Sequence, residues 1–140
     1  MLAYPIKLAK DDNGTYLVTC PSLPEVTTFG EDIEDALRHA GDAIEEAIAA
    51  RMAGREPIPA PSNGKYRVVL PALTVAKILL YRRMLERSIS KNALAKTLHW
   101  HRPQVDRLLD LRHGTRLDLI EQALKALGAK MRIDLENDAR

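Results

Sequence analysis

Cysteine is nearly absent from this sequence: Cys20 stands alone, so no disulfide can form within the chain. Aromatic residues are also scarce, at 4% of 140 residues, so a core must rest on Leu, Ile, Val and Ala. Hydrophobic residues still make up 46% of the chain. That is enough for one domain or two small ones, although a half-length domain alone is marginal. No apolar run approaches the roughly 20 residues of a membrane span. The N-terminus runs straight into an alternating pattern, with no basic-then-apolar leader. Together these absences point to a soluble, cytoplasmic protein.

A large excess of one charge is missing too, the net charge being only +2. Its distribution is uneven, however. Residues 1–60 carry 5 Lys and Arg against 11 Asp and Glu, a net of −6, whereas residues 61–140 carry 16 against 8, a net of +8. Such asymmetry suits two surfaces with different partners, a basic half facing nucleic acid and an acidic half facing a basic protein. Two merely solvated faces would give the same numbers.

Leu2, Tyr4, Ile6 and Leu8 alternate as a strand, and Asp11-Asp12-Asn13-Gly14 is a turn signal. Tyr16, Val18 and Cys20 alternate as a second strand, and Glu25 to Phe29 offers a third after Pro21 and Pro24. A helix then carries Ile33, Leu37, Ala40, Ile44, Ile48 and Met52 on one stripe. Its acidic first turn suits the positive end of the helix dipole. Pro57, Pro59 and Pro61 predict an extended linker, and Tyr66, Val68 and Leu70 a further strand ended by Pro71. The order β-β-β-α-β implies a small sheet covered on one face, with a boundary near residue 71.

The second half reads as helical. Val75, Ile78, Leu79, Met84 and Leu85 populate one helix, Ser90 caps another over Lys91–Leu98, and a third begins near Arg102. Thr115 with Asp118 approximates a capping box for a fourth, whose expected buried face is Leu117, Ile120, Leu124 and Leu127 before Gly128. Met131, Ile133 and Leu135 alternate as a lone final strand. Its unpaired backbone predicts pairing with a second copy across a two-fold axis; joining the N-terminal sheet or fraying are the alternatives.

Two short helices crossing steeply need a small residue where they meet and apolar residues on their inner faces. Ala95 supplies the first, and Leu94, Leu98, Trp100, Val105 and Leu108 the second. Ala95, Trp100, Val105 and Leu108 match the spacing of the helix-turn-helix of the lambda-repressor and Cro class, which this segment resembles. His99 stands where that class prefers glycine in the turn; histidine enters the left-handed region more readily than most residues. The alignment turns His101, Arg102, Gln104, Asp106 and Arg107 outward, with Arg102 and Gln104 suited to read guanine and adenine edges. Lys91, Asn92, Lys96 and Arg112 fall where such domains touch phosphate. Trp100 points inward, which argues against stacking on single-stranded nucleic acid.

Tyr4-Pro5-Ile6, Gly14-Thr15-Tyr16, Pro21-Ser22-Leu23-Pro24, Thr28, Gly30-Glu31 and Ala36 resemble the HicB antitoxin family. The likeness continues through Ala40, Asp42, Ala43, Ala47, Pro57-Ile58-Pro59, Pro61-Ser62, Val69-Leu70-Pro71, Leu94-Ala95 and Lys125-Ala126-Leu127-Gly128. It covers nearly the whole chain and matches the subgroup with a C-terminal helix-turn-helix. The resemblance implies an α+β chain: residues 1–71 a partial ribonuclease H-like toxin-binding domain, residues 72–140 a DNA-binding and dimerisation domain. It also implies a partner, HicA, a small basic mRNA-cleaving ribonuclease toxin with a double-stranded-RNA-binding fold. Asp11, Asp12, Glu25, Glu31, Asp32 and Glu34 are the candidates to meet that basic toxin. Operator DNA and a second copy of the chain complete the expected partners.

Catalysis is not expected. A working ribonuclease H needs clustered carboxylates to hold metal, and the first strand offers none. His99, His101 and His113 match no zinc spacing, and no cofactor is implied. The rival readings are a ligand-sensing helix-turn-helix repressor without a toxin partner and a divergent metal-dependent nuclease.

Overall fold

Alternating apolar residues shape the first half in the computed structural model, which describes residues 2–137. β1 (Ala3–Lys10), β2 (Tyr16–Thr19), β3 (Thr27–Gly30) and β4 (Tyr66–Val69) form one antiparallel sheet in the order β3-β2-β1-β4. The register sets Tyr16 opposite both Lys10 and Gly30, and Tyr4 opposite Val68. Because side chains alternate along a strand, Tyr4, Ile6, Val18 and Cys20 share the buried face. α1 (Ile33–Ala53) closes that face with Ala36, Ala40, Ile44, Ile48 and Met52. The β-β-β-α-β order is thus as read from the sequence. Ile33 departs from its expected stripe: it is 37% exposed, and Ala36 is buried instead. β3 also starts later than Glu25, because the Val26 N–H donates to the Leu23 carbonyl in a turn, 3.0 Å.

The proline segment is tied down rather than free. The Tyr81 hydroxyl donates to the Glu56 carbonyl (2.5 Å), the Tyr4 hydroxyl to that of Pro59 (2.8 Å), and Ile58 is buried. These bonds fix residues 56–59 across the sheet domain and onto the first helix that follows it.

That helix, α2 (Ala72–Glu86), is apolar on two stripes. Ile78 and Tyr81, three apart, join the core under the sheet. Ala76, Leu80 and Met84, four apart, join a second core with Leu94, Val105, Leu108, Ile120 and Leu124. α3 (Lys91–Leu98), α4 (Arg102–Leu109) and α5 (Leu117–Ala126) complete that second core. Leu109 and Leu111, at the end of α4, also reach the first core.

Four further expectations are corrected. Leu79 is 47% exposed and Leu117 41%, Ala123 being buried on α5 instead of Leu117. Thr115 caps nothing on α5, whose N-cap is Arg116; its hydroxyl donates to the Arg107 carbonyl, 3.0 Å. Asp118 pairs with Arg116 rather than completing a box. Residues 129–137 form neither helix nor strand, so the strand expected at Met131, Ile133 and Leu135 is not present in the single chain. Among the described residues the sheet contains only β1–β4, which removes intrachain pairing of that segment with it. Ile133 and Leu135 are 71% and 96% exposed, whereas Met131 packs partly against the second core.

Gly30 shows how tightly sheet and helix meet. A Cβ there would lie 2.3 Å from the Ala36 backbone, closer than real atoms approach. Gly30→Ala is expected to destabilise the chain by about 2 kcal/mol, because backbone must move to admit it. Urea denaturation checks this: the midpoint should fall at unchanged m-value, and an unmoved midpoint would contradict the close packing.

Candidate functional site

The α3–α4 pair is assembled from local signals. Ser90 Oγ accepts from the Ala93 N–H (3.1 Å), starting α3. His99 ends it in the left-handed conformation, φ 59° and ψ 37°, as its place in the turn requires. The Trp100 N–H then donates to the Ala95 carbonyl at 2.9 Å. α4 starts with Gln104 Oε1 accepting from the His101 N–H at 2.8 Å. Leu94, Ala95, Val105 and Leu108 are buried where the helices meet, and Trp100 is half-buried against the same core.

The nine polar residues singled out on this pair divide into two groups. Arg102 Nη1 donates to Asn92 Oδ1 (2.6 Å), and Asp106 pairs with both Arg102 (3.1 Å) and Lys91 (3.3 Å). Lys91, Asn92, Arg102 and Asp106 therefore clamp the start of α3 to α4. Burial alone would raise the Asp106 carboxyl, but hydrogen bonds from Arg102 and Lys91 outweigh it and hold it below the usual aspartate range. Asp106 is thus half-buried and engaged, not turned freely outward. Gln104 is exposed and holds the helix start through its carbonyl oxygen, leaving its amide N–H groups unengaged. Lys96, Arg107 and Arg112 are exposed, with no side-chain hydrogen bond or ion pair among the described residues, whereas the exposed His101 forms a capping box with Gln104 at the start of α4.

Sequence reasoning missed Lys77, on α2. It is fully buried, and its Nζ has four acceptors: the carbonyls of Arg107 (2.9 Å), Asp110 (2.5 Å) and His113 (2.7 Å) and Thr115 Oγ1 (2.9 Å). Desolvation pushes its ammonium below the usual lysine range, and Asp110 partly offsets this. The available signal was a single lysine inside the apolar run Val75 to Tyr81. Arg83 on α2 and Arg87 at its C-cap play a related part at the end of α5, both donating to the Leu127 carbonyl.

The acidic candidates divide as well. Asp11 accepts from the Asn13 and Thr15 N–H groups and the Thr15 hydroxyl, which fixes the β1–β2 turn. Asp32 is the N-cap of α1, accepting from the Asp35 N–H at 2.7 Å. Glu25 receives two hydrogen bonds from Arg51, at 2.6 and 2.9 Å. Asp12, Glu31 and Glu34 remain exposed without a side-chain partner among the described residues. The Lys10–Tyr16–Gly30 register gathers Asp11, Asp12, Glu31, Asp32 and Glu34 at one end of the sheet. Glu25 does not cluster at the start of α1 as expected; it pairs with Arg51 in the last turn of that helix.

Two surface hollows accompany these groups. One, of about 210 Å³, lies between Met52, Tyr81, Lys91, Asp106 and Leu109. The other, of about 320 Å³, lies beside α4 between Trp100, Gln104, Arg107, Arg116 and Leu119. No helix among the described residues is long and apolar enough to cross a membrane.

Residues 3–79, most of the acidic half and the start of α2, match the HicB_like antitoxin family of bacterial toxin–antitoxin systems. This chain belongs to that family. Antitoxin HicB of Pseudomonas fluorescens (strain Pf0-1) is 35% identical over 140 residues, covering 97% of this chain and 95% of the relative. Antitoxin HicB 2 of Photorhabdus laumondii is 36% identical over 133 residues, covering 94% and 95%. Antitoxin HicB of Escherichia coli (strain K12) is 32% identical, covering 93% and 96%. The likeness to these HicB antitoxins therefore extends through the α3–α4 pair, beyond the matched family segment.

The Glu25–Arg51 pair sets a pH dependence. Hydrogen bonds from Arg51 hold the Glu25 carboxyl below its ordinary value of 4.5. A folded-state value below the unfolded one means that its stabilisation is complete above pH 4.5 and is lost as pH falls through the folded value. Glu25→Gln is expected to flatten the stability profile between about pH 5 and pH 3, measured by urea unfolding at each pH. Parallel losses in both proteins would contradict this.

Proposed function

We propose that this antitoxin-family chain neutralises a HicA-type mRNA-cleaving toxin through residues 1–71 and represses its own operon through residues 72–140. In this reading α3 and α4 form a helix-turn-helix, with α4 lying in the major groove of operator DNA. The sheet covered by α1 is a partial ribonuclease H-like fold used as a binding surface, with no catalysis of its own. The observation that carries the proposal is the separation of unengaged charge. Among the described residues, Lys96, Arg107 and Arg112 have no side-chain partner on and around α4, and Asp12, Glu31 and Glu34 have none at one end of the sheet domain. A basic surface attracts phosphate and an acidic one attracts an RNA-binding toxin, so the two partners need not compete for one face.

The clamp sharpens the assignment of roles. Arg107 and Gln104 are the readers of base edges, Arg102 and Asp106 set the angle between the helices, and Lys91, Asn92, Lys96 and Arg112 flank the phosphates. The chain acts in the cytoplasm as a homodimer or a larger assembly, pairing through Met131, Ile133 and Leu135, which suits paired half-sites. A ligand-sensing repressor is less well supported, because the hollow between the two cores is smaller than a typical small-molecule site and contains the Lys91–Asp106 pair, and the hollow beside α4 reaches only the lower end of that size range.

One set of variants tests both halves, with operator and toxin binding each followed by fluorescence anisotropy. Arg107→Ala is expected to weaken operator binding about tenfold or more while leaving toxin affinity unchanged. Asp12→Lys with Glu31→Lys and Glu34→Lys should do the reverse, and it spares the structural carboxylates of Asp11, Glu25 and Asp32. Unchanged operator affinity in the first variant, or unchanged toxin affinity in the second, would reject the corresponding assignment.

A further inference from the structure

We propose that Lys77 is the positioning residue that sets the reading angle of α4, acting from a buried site without touching nucleic acid. This rests on α4 being the DNA-reading helix. Helix ends leave carbonyls without intrahelical partners and carry the negative end of the dipole. The Lys77 ammonium sits against that end, donating to the Arg107 carbonyl in the last turn of α4 and to the Asp110 carbonyl at its cap. It also holds the turn toward α5, through the His113 carbonyl and Thr115 Oγ1. Thr115 in turn donates to the Arg107 carbonyl, so the cluster is closed.

A buried charge is tolerated only where its hydrogen-bonding capacity is filled, and three ammonium hydrogens among four acceptors fill it. Position along the chain matters as much as chemistry. Lys77 belongs to α2, whose neighbouring residues Ala76, Ile78, Leu80 and Tyr81 are anchored in the two cores. The end of α4 is thereby fastened to an element that also packs against the sheet domain. The start of α4 is clamped separately by Lys91 and Asn92. Removing Lys77 leaves the end of α4 held by the apolar packing of Leu108, Leu109 and Leu111 and the Thr115 bond, without its tie to α2, with Arg107 and Arg112 on the loosened side. A misplaced reading helix loses contacts to base edges before it loses attraction to phosphate, which depends on charge more than on angle.

Lys77→Met retains most of the buried stem and removes all three donors. Anisotropy with the operator and with a scrambled duplex of the same length reads the effect, alongside circular dichroism and toxin binding as checks of folding. The expected result is about a tenfold loss of operator affinity with little change toward scrambled DNA, so that the specificity ratio collapses. An unchanged ratio in the folded variant overturns the proposal, since a residue that only stabilises would shift the melting temperature alone. Should Lys77→Met fail to fold, Thr115→Val removes one acceptor of Lys77 together with the hydroxyl's own bond to the Arg107 carbonyl, and is expected to lower the ratio about threefold; an unchanged ratio there is equally decisive against it. Wild-type protein that does not discriminate operator from scrambled DNA would instead reject the reading of α4 itself.

Discussion

A buried ammonium that holds the end of one helix from the middle of another constrains much of the second half. Lys77 donates to the final carbonyls of α4 and to the turn leading to α5, and four acceptors surround it. The Arg107, Asp110 and His113 carbonyls each also accept a backbone N–H, from Asp110, His113 and Thr115 respectively, so an apolar residue in place of Lys77 removes the tie to α2 rather than the carbonyls' last partners. α2 repeats the device nearer its C-terminus, where Arg83 and Arg87 hold the end of α5 at Leu127. The helix is therefore a strut whose cations cap its neighbours, while its two apolar stripes join the cores on either side.

The surplus of positive charge in residues 61–140 consequently has two meanings. Part of it is internal: Lys77, Arg83 and Arg87 serve helix ends, and Lys91 and Arg102 close on Asp106. Arg116 and Arg132 pair with Asp118 and Asp134, and Lys96, Arg107 and Arg112 face outward, without a side-chain partner among the described residues, available to an anion. The acidic half divides in the same way, with Asp11, Glu25 and Asp32 engaged and Asp12, Glu31 and Glu34 free. Net charge therefore indicates that a surface exists, and hydrogen-bond geometry decides which residues compose it.

The elements themselves were legible. Period-two alternation marks β1, β2 and β4, and the apolar stripe from Leu37 to Met52 marks α1. Ala95, Val105 and Leu108 marked the junction of α3 and α4, and His99 adopts the left-handed turn that its position demands. What stayed hidden was pairing between distant residues. Thr115 reads as a helix cap until Lys77, 38 positions earlier, claims its hydroxyl. Glu25 reads as part of an acidic cluster until Arg51 approaches from the far end of α1. Asp106 reads as an outward residue because local periodicity carries no record of Lys91 and Arg102. The segment from Met131 to Leu135 alternates like a strand, yet a strand exists only with a partner, and one chain supplies none.

This chain belongs to an antitoxin family and holds two differently charged surfaces on one braced scaffold, and toxin neutralisation is the function proposed from them. Its most direct test is purification of the untagged partner set from native cells, with the co-eluting proteins identified by mass spectrometry. The expected result is a small basic protein encoded by the adjacent gene, in stable complex with this chain. Recovery of the chain alone, from cells proven to express that neighbour, would contradict it.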